Sequence, residues 1–231
     1  STMKSTTIAV DLAKSIFEVA VSHHPGQVSS RHRLTRTRLV GFFQQQPAST
    51  VVLEACGSAH HWGRQLEAMG HSVRLLPPRY VKPYLGRSKT DRADAAALLE
   101  ACRNREIHPV PVKTLSQQAI ASLHRLRSGW LATRTCRINT VRGILREFGI
   151  TLPVGSGHIV PGVTALLDQQ DSPLPSTLHP AVAEILGEIR SLETRINDIE
   201  RQLRALARQT PTVSRLMSIQ GIGLLGATAL V

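Results

Sequence analysis

Three strand signals follow one another at the start of this chain before any helix signal intervenes, and that order leaves few folds open. Thr6-Thr7-Ile8-Ala9-Val10-Asp11 is a β-branched run, and Ser15-Ile16-Phe17-Glu18-Val19-Ala20-Val21 alternates at period two. After the turn His23-His24-Pro25-Gly26, a third and polar strand runs from Val28 to Leu34, so the three read as an antiparallel meander. An amphipathic helix over 37–46 comes next, then Ser49-Thr50-Val51-Val52-Leu53-Glu54, an apolar run short enough for a buried central strand. A helix over 58–69 closed by Gly70, a strand over 72–76 and the stop Pro77-Pro78 complete the series. The order β-β-β-α-β-α-β-α predicts an α/β fold: a three-layer sandwich with a mixed sheet, of the RNase H kind.

Past Arg103 the pattern turns helical. Residues 114–148 read as one long helix ending near Gly149. A stretch rich in Gly, Pro and Ser (151–180) carries only a short element near 163–169. A second long helix then presents Ile185, Ile189, Leu192, Ile196, Ile199, Leu203 and Leu206 at spacings of 4, 3, 4, 3, 4 and 3, the stripe of a coiled-coil seam. Its apolar stripe needs a cover, either helix 114–148 of the same chain or a second copy. The expectation favoured here is a homodimer or higher oligomer through 185–206.

Charge narrows the function. The 231 residues hold 28 Lys and Arg against 16 Asp and Glu, a net +12, and residues 64–146 supply +11 of it with 16 basic and 5 acidic side chains. An excess so localised is the footprint of a polyanion partner rather than of solubility alone. Eight aromatic residues are too few for a base-stacking platform, so backbone contact to double-stranded DNA or a structured RNA is expected. The candidate contacts are Lys14, Arg79, Lys82, Arg87, Lys89, Arg92, Arg125, Arg127, Arg134 and Arg137.

The acids supply a chemistry to match. Asp11 ends the first strand, Glu54 ends the central one, and Asp91 and Asp94 open the helix after a basic loop, three residues apart on one face. Singly, each has a plain structural reading as a turn or helix cap. Jointly, four carboxylates with no obvious basic partner between them in the sequence would repel unless a cation neutralised them, and oxygen-only ligands favour Mg²⁺ or Mn²⁺. Two such ions can stabilise both the attacking and the leaving oxygen of a phosphodiester displacement.

Short motifs around these acids carry a resemblance. Ile8-Ala9-Val10-Asp11-Leu12-Ala13-Lys14, Leu53-Glu54-Ala55-Cys56-Gly57, Lys89-Thr90-Asp91-Arg92-Ala93-Asp94-Ala95 and Ser218-Ile219-Gln220-Gly221-Ile222-Gly223 resemble four motifs of the DEDD insertion-sequence transposases. These form the insertion-sequence 110 family, related to the Piv DNA invertases. The departures, Leu12-Ala13 and Cys56, touch no carboxylate. The resemblance implies a RuvC-like catalytic domain over 1–104, with Asp11, Glu54, Asp91 and Asp94 as a Mg²⁺-binding tetrad for cleavage and strand exchange. It further implies a helical coiled-coil region over 105–210, the start of a C-terminal transposase domain over 211–231, and a structured guide RNA. The family's attacking serine has no counterpart here and is expected beyond Val231, so the chain alone is expected to fall short of full strand exchange. A strand exchanger needs paired active sites, which is what favours the dimer. The alternatives are a metal-dependent Holliday-junction-type nuclease and a non-catalytic DNA- or RNA-binding module.

Other signals weigh less. Gly221-x-Gly223-x-x-Gly226 lacks the preceding strand of a dinucleotide site and reads better as a helix-hairpin-helix turn. His23-His24 and His60-His61 lack metal spacing and read as surface histidines. No P-loop motif points to ATP, no apolar run is long enough for a membrane span, and Cys56, Cys102 and Cys136 form neither a disulfide framework nor a zinc knuckle. Met3 is expected to be the native start, and the expected compartment is the prokaryotic cytoplasm, on the nucleoid when acting.

Overall fold

The computed structural model describes residues 6–85 and 91–231, with side chains described in the second stretch from residue 94 onward. Two compact units divide the chain, residues 1–118 and 119–231.

The first unit is built on a five-stranded mixed sheet. Its strands are β1 (Thr7–Asp11), β2 (Ile16–Ser22), β3 (Ser30–Thr35), β4 (Thr50–Glu54) and β5 (Ser72–Leu76), in the spatial order β3-β2-β1-β4-β5. β1 pairs antiparallel with β2 and parallel with β4, and β5 continues the parallel side. The central positions of β1 and β4 are buried on both faces, which is why both read as nearly unbroken apolar runs. Helix α1 (Arg36–Gln44) joins β3 to β4, and α2 (Ala59–Ala68) joins β4 to β5. Both cover one face, where Ile8, Val10, Phe17, Val51 and Leu53 pack with Leu39, Phe43, Trp62 and Leu66. The other face carries Ala9, Ala20, Val52 and Leu76 beneath Ala95, Leu98 and Ala101 of α4 (Asp91–Arg103), which follows the short α3 (Pro78–Val81). Small side chains on both sides let α4 lie close over the sheet. The α/β class, the mixed sheet and the element order are thus those expected.

Residues 105–118 stay with this unit. Val110 bridges to Leu75, the Arg64 guanidinium donates to the Lys113 carbonyl at 2.6 Å, and the Lys113 amide donates to His60 Nδ1 at 3.1 Å. Gly63 permits the approach, since a Cβ there would lie 2.9 Å from Val112.

The second unit takes most of α5 (Leu115–Glu147), then α6 (Ile159–Leu167), α7 (His179–Gln209), α8 (Pro211–Met217) and α9 (Leu224–Ala229). Gly149, at φ +72°, ends α5 as expected: its amide donates to the Arg146 carbonyl, and the Ile150 amide to that of Leu145. Within the loop, the short element expected near 163–169 is α6, which begins four residues earlier despite Pro161 and Gly162. Its Ile159 and Val163 are buried, and Gly162 leaves room for Leu152.

The α7 seam corrects one expectation. Ile189, Leu192, Ile196, Ile199 and Leu203 are buried within the chain, while Ile185 and Leu206 are half-buried. Ile138, Val141 and Leu145 of α5 pack in one cluster with Val182, Leu186 and Ile189 of α7, and Ile120 packs with Ile199 and Leu203 in another. A homodimer through 185–206 therefore finds its stripe already covered, and the seam closes the hairpin with α5. At ~1.5–3 kcal/mol for each large apolar side chain, the stripe gains its stability from the partner that is always present.

Candidate active site

The C-terminal ends of β1 and β4 bring two acids to one edge of the sheet. Val10 stands level with Leu53 in the parallel pairing, so Asp11 and Glu54 are the next residues on neighbouring strands. Alternation places both on the face of Ala9 and Val52, which is the face α4 covers. Asp94 lies one turn into α4, and its negative charge is felt at Glu54. Burial first, and the Asp94 charge second, raise the Glu54 pKa above its ordinary value. Asp94 Oδ1 is itself buried and has no hydrogen-bond partner among the described residues.

Glu54 and Asp94 are like charges close together, a repulsion that a nearby cation would relieve. Two carboxylates share a partly desolvated edge, one with an oxygen that accepts no hydrogen bond among the described residues, and carboxylate oxygens are the donors a hard divalent ion takes. Among the described residues no three His, Cys, Asp or Glu side chains gather to hold a metal. The side chain of Asp91 lies outside them, so its place is given only by the backbone, as the first residue of α4.

A pH test follows. With its pKa raised in the fold, Glu54 keeps its proton to higher pH in the native state than in the unfolded chain. The Glu54 contribution to metal-free stability should therefore be fully present below the ordinary Glu range and be lost as pH rises through the raised value. In Glu54→Gln that decline should disappear. Chemical denaturation in chelator between about pH 4 and 7 reads it, and an unchanged profile in the variant removes the electrostatic coupling.

Glu18 was not among the candidate acids. It stands opposite Asp11 in the β1–β2 pairing and is held by Arg33 at 3.4 Å. The period-two pattern of β2 was the signal that could have placed it there.

The candidate cations divide. Lys14, Arg79, Lys82 and Arg125 are exposed, with the Arg79 guanidinium 4.6 Å from the ring centre of Tyr80. Arg87 and Lys89 lie outside the described residues, as does the side chain of Arg92. Arg127, Arg134 and Arg137 turn inward along the α5–α7 hairpin instead of standing free for nucleic acid. They pair with Glu200 at 2.7 Å, with Glu193 at 3.8 Å and with Glu188. Glu193 and Glu200 stand one heptad apart against Arg134 and Arg127, and Glu188 meets Arg137, so the charge excess of the middle segment is partly neutralised by its own partner helix. His60 is held by Lys113, and burial, then the charges of Lys113 and Arg64, lower its pKa, which suits a structural role.

Residues 8–150 match the family of DEDD transposases of the insertion-sequence 110 type. The chain belongs to this family. It is 39% identical over 228 residues to a probable family 20 transposase of Pseudomonas aeruginosa, covering 98% of this chain and 68% of that protein. A putative transposase of Sinorhizobium fredii (y4pF/y4sB) is 37% identical over 225 residues, 96% of this chain and 57% of the relative. The transposase of insertion sequence element IS1111A from Coxiella burnetii is 32% identical over 220 residues, 95% of this chain and 60% of the relative. The chain thus spans about 57% to 68% of the length of these transposases. The family match covers both strand-end acids and the opening of α4, whereas α7 to α9 lie outside it. No helix among the described residues is long and apolar enough to cross a membrane.

Proposed function

We propose that this chain is the catalytic and DNA-holding part of an insertion-sequence transposase: a RuvC-like domain followed by an antiparallel coiled-coil arm. Asp11, Glu54, Asp91 and Asp94 would hold Mg²⁺ or Mn²⁺ beside a scissile phosphodiester. When bound, the metal supplies Lewis acidity toward the phosphate oxygens. Asp11 and Glu54 would form one side of the site because their strands are locked in register, and Asp94 would join them from a helix seated on small residues. The exposed cations Lys14, Arg79, Lys82 and Arg125, with Arg87, Lys89 and Arg92, hold the DNA backbone by charge. In this reading a structured RNA supplies sequence recognition, since few side chains are placed to read base edges.

The observation that carries the proposal is the buried Asp94 oxygen, without a hydrogen-bond partner among the described residues, together with a Glu54 whose ionisation its charge opposes. Titration calorimetry tests it. Mg²⁺ or Mn²⁺ should bind the chain at millimolar concentrations or below and fail to bind Asp11→Asn; equal binding by both sinks the metal site. Duplex DNA tests the rest: if about six cations neutralise phosphates, log K should fall against log salt with a slope of roughly −5. A slope near zero would refute the DNA-holding role. In the transposase carrying its C-terminal region, a covalent protein–DNA adduct marks serine attack, and its absence alongside metal-dependent cleavage marks a junction-type nuclease.

A further inference from the structure

Arg36 stands among the first 63 residues, where basic side chains are few, yet three contacts fix its guanidinium. It lies 5.5 Å from the ring centre of Phe17 and 5.6 Å from that of Trp62, and Nη1 donates to the Lys14 carbonyl at 3.2 Å. The two rings are buried and meet edge to face, 5.4 Å apart at 84°, so they form a stiff platform. Arg36 itself is exposed, and among the described residues no acid is ion-paired with it.

Its place in the fold gives the platform a use. β3 ends at Thr35, which pairs with Ile16, so Arg36 follows at the end of the sheet where β1 ends in Asp11, with its platform on the α1–α2 face and the acids on the α4 face of that same end. Lys14, whose carbonyl it holds, comes three residues after Asp11 and is also exposed. The cation–π contacts and the Lys14 carbonyl hold the guanidinium in one place while leaving it exposed and without an acidic partner among the described residues. A planar fork whose rotamer is already held loses little entropy on taking a phosphate, and the fork can accept it through two N–H donors.

We infer that Arg36, with Lys14 beside it, is a phosphate clamp that seats the DNA duplex at the catalytic edge of the sheet. Resting on the function proposed above, the inference adds a positioning cation that the charge distribution does not point to. Three variants made in a Trp130→Phe background, where Trp62 is the sole tryptophan, test it. Arg36→Gln keeps a planar group able to reach the Lys14 carbonyl but removes the charge. It should bind a duplex of arbitrary sequence roughly tenfold more weakly at low salt, with the log–log salt slope shallower by about 0.9. Arg36→Lys should keep the slope and lose several-fold in affinity, because an ammonium lacks the fork. DNA should shift Trp62 emission in the parent protein and leave it unmoved in Arg36→Gln. An Arg36→Gln protein with parental slope and emission response overturns the clamp while leaving the proposed function standing. A parent protein without salt-dependent binding overturns both. If Arg36→Gln fails to fold, Arg36→Lys decides alone, and parental affinity together with a parental emission response overturns the clamp.

Discussion

Exchanging Ile196 and Ile199 for aspartate together is expected to unravel the second unit and leave the first folded. Both side chains are almost fully buried, at 4% and 3% exposure, and Ile199 packs with Ile120 and Leu203. Each exchange forfeits ~1.5–3 kcal/mol of apolar burial and sets a carboxylate without a partner in the seam, which costs several kcal/mol more. The pair together approaches the whole stability of an ordinary domain, about 5–15 kcal/mol. Circular dichroism should lose much of the helical signal, because α5 and α7 contribute 33 and 31 residues. Emission from Trp130, which packs in the same cluster as Ile199, should move to that of exposed indole while Trp62 stays shielded. Ile199→Val, by contrast, should cost only ~0.5–1.5 kcal/mol. A double variant that keeps its helix content and passes from dimer to monomer in light scattering would restore the intermolecular seam.

Asp94→Asn should have the second large effect, and of opposite sign in two conditions. Without metal, removing the charge that opposes Glu54 relieves the site, so the variant should be at least as stable as the parent above the Glu54 pKa. With Mg²⁺ at a hundred times its dissociation constant the parent should gain ~2.7 kcal/mol by mass action, and the variant should lose nearly all of that gain. In thermal unfolding this is a difference of roughly 5–10 °C for a chain of this size. DNA cleavage by the transposase carrying its C-terminal region should fall by at least about a hundredfold, ~2.7 kcal/mol in the barrier. A variant that keeps the magnesium shift removes Asp94 from the site.

The sheet was legible because its central strands bury both faces: Ile8-Ala9-Val10 and Val51-Val52-Leu53 have no polar position to blur the signal. Asp11 and Glu54 were legible for the same reason, as each is the first carboxylate after a fully apolar run. The fate of the arginines on α5 was not. Nothing local to Arg127, Arg134 or Arg137 distinguishes a guanidinium facing phosphate from one facing a glutamate some 50 to 70 residues away, and only the pairing of helices decides it. The short element expected near 163–169 is α6, and its start at Ile159 was missed because Pro161 and Gly162 depress helix propensity there, a deficit offset by burial of Ile159 and Val163. Arg36 escaped because its environment comes from residues 17 and 62, on two other elements.

The three ion pairs of the hairpin also act as a vernier. A seam of isoleucine and leucine alone repeats every seven residues, so sliding one helix past the other by a heptad would offer almost the same apolar fit. The charges break that degeneracy. A slip in one direction leaves Arg134 level with Glu200 but sets Arg127 against Ala207 and brings Arg137 level with Arg195. A slip in the other meets Arg127 with Glu193 while facing Arg134 with Leu186 and Arg137 with Ala181. Only one alignment satisfies all three arginines, so the two helices of the hairpin meet in a single register.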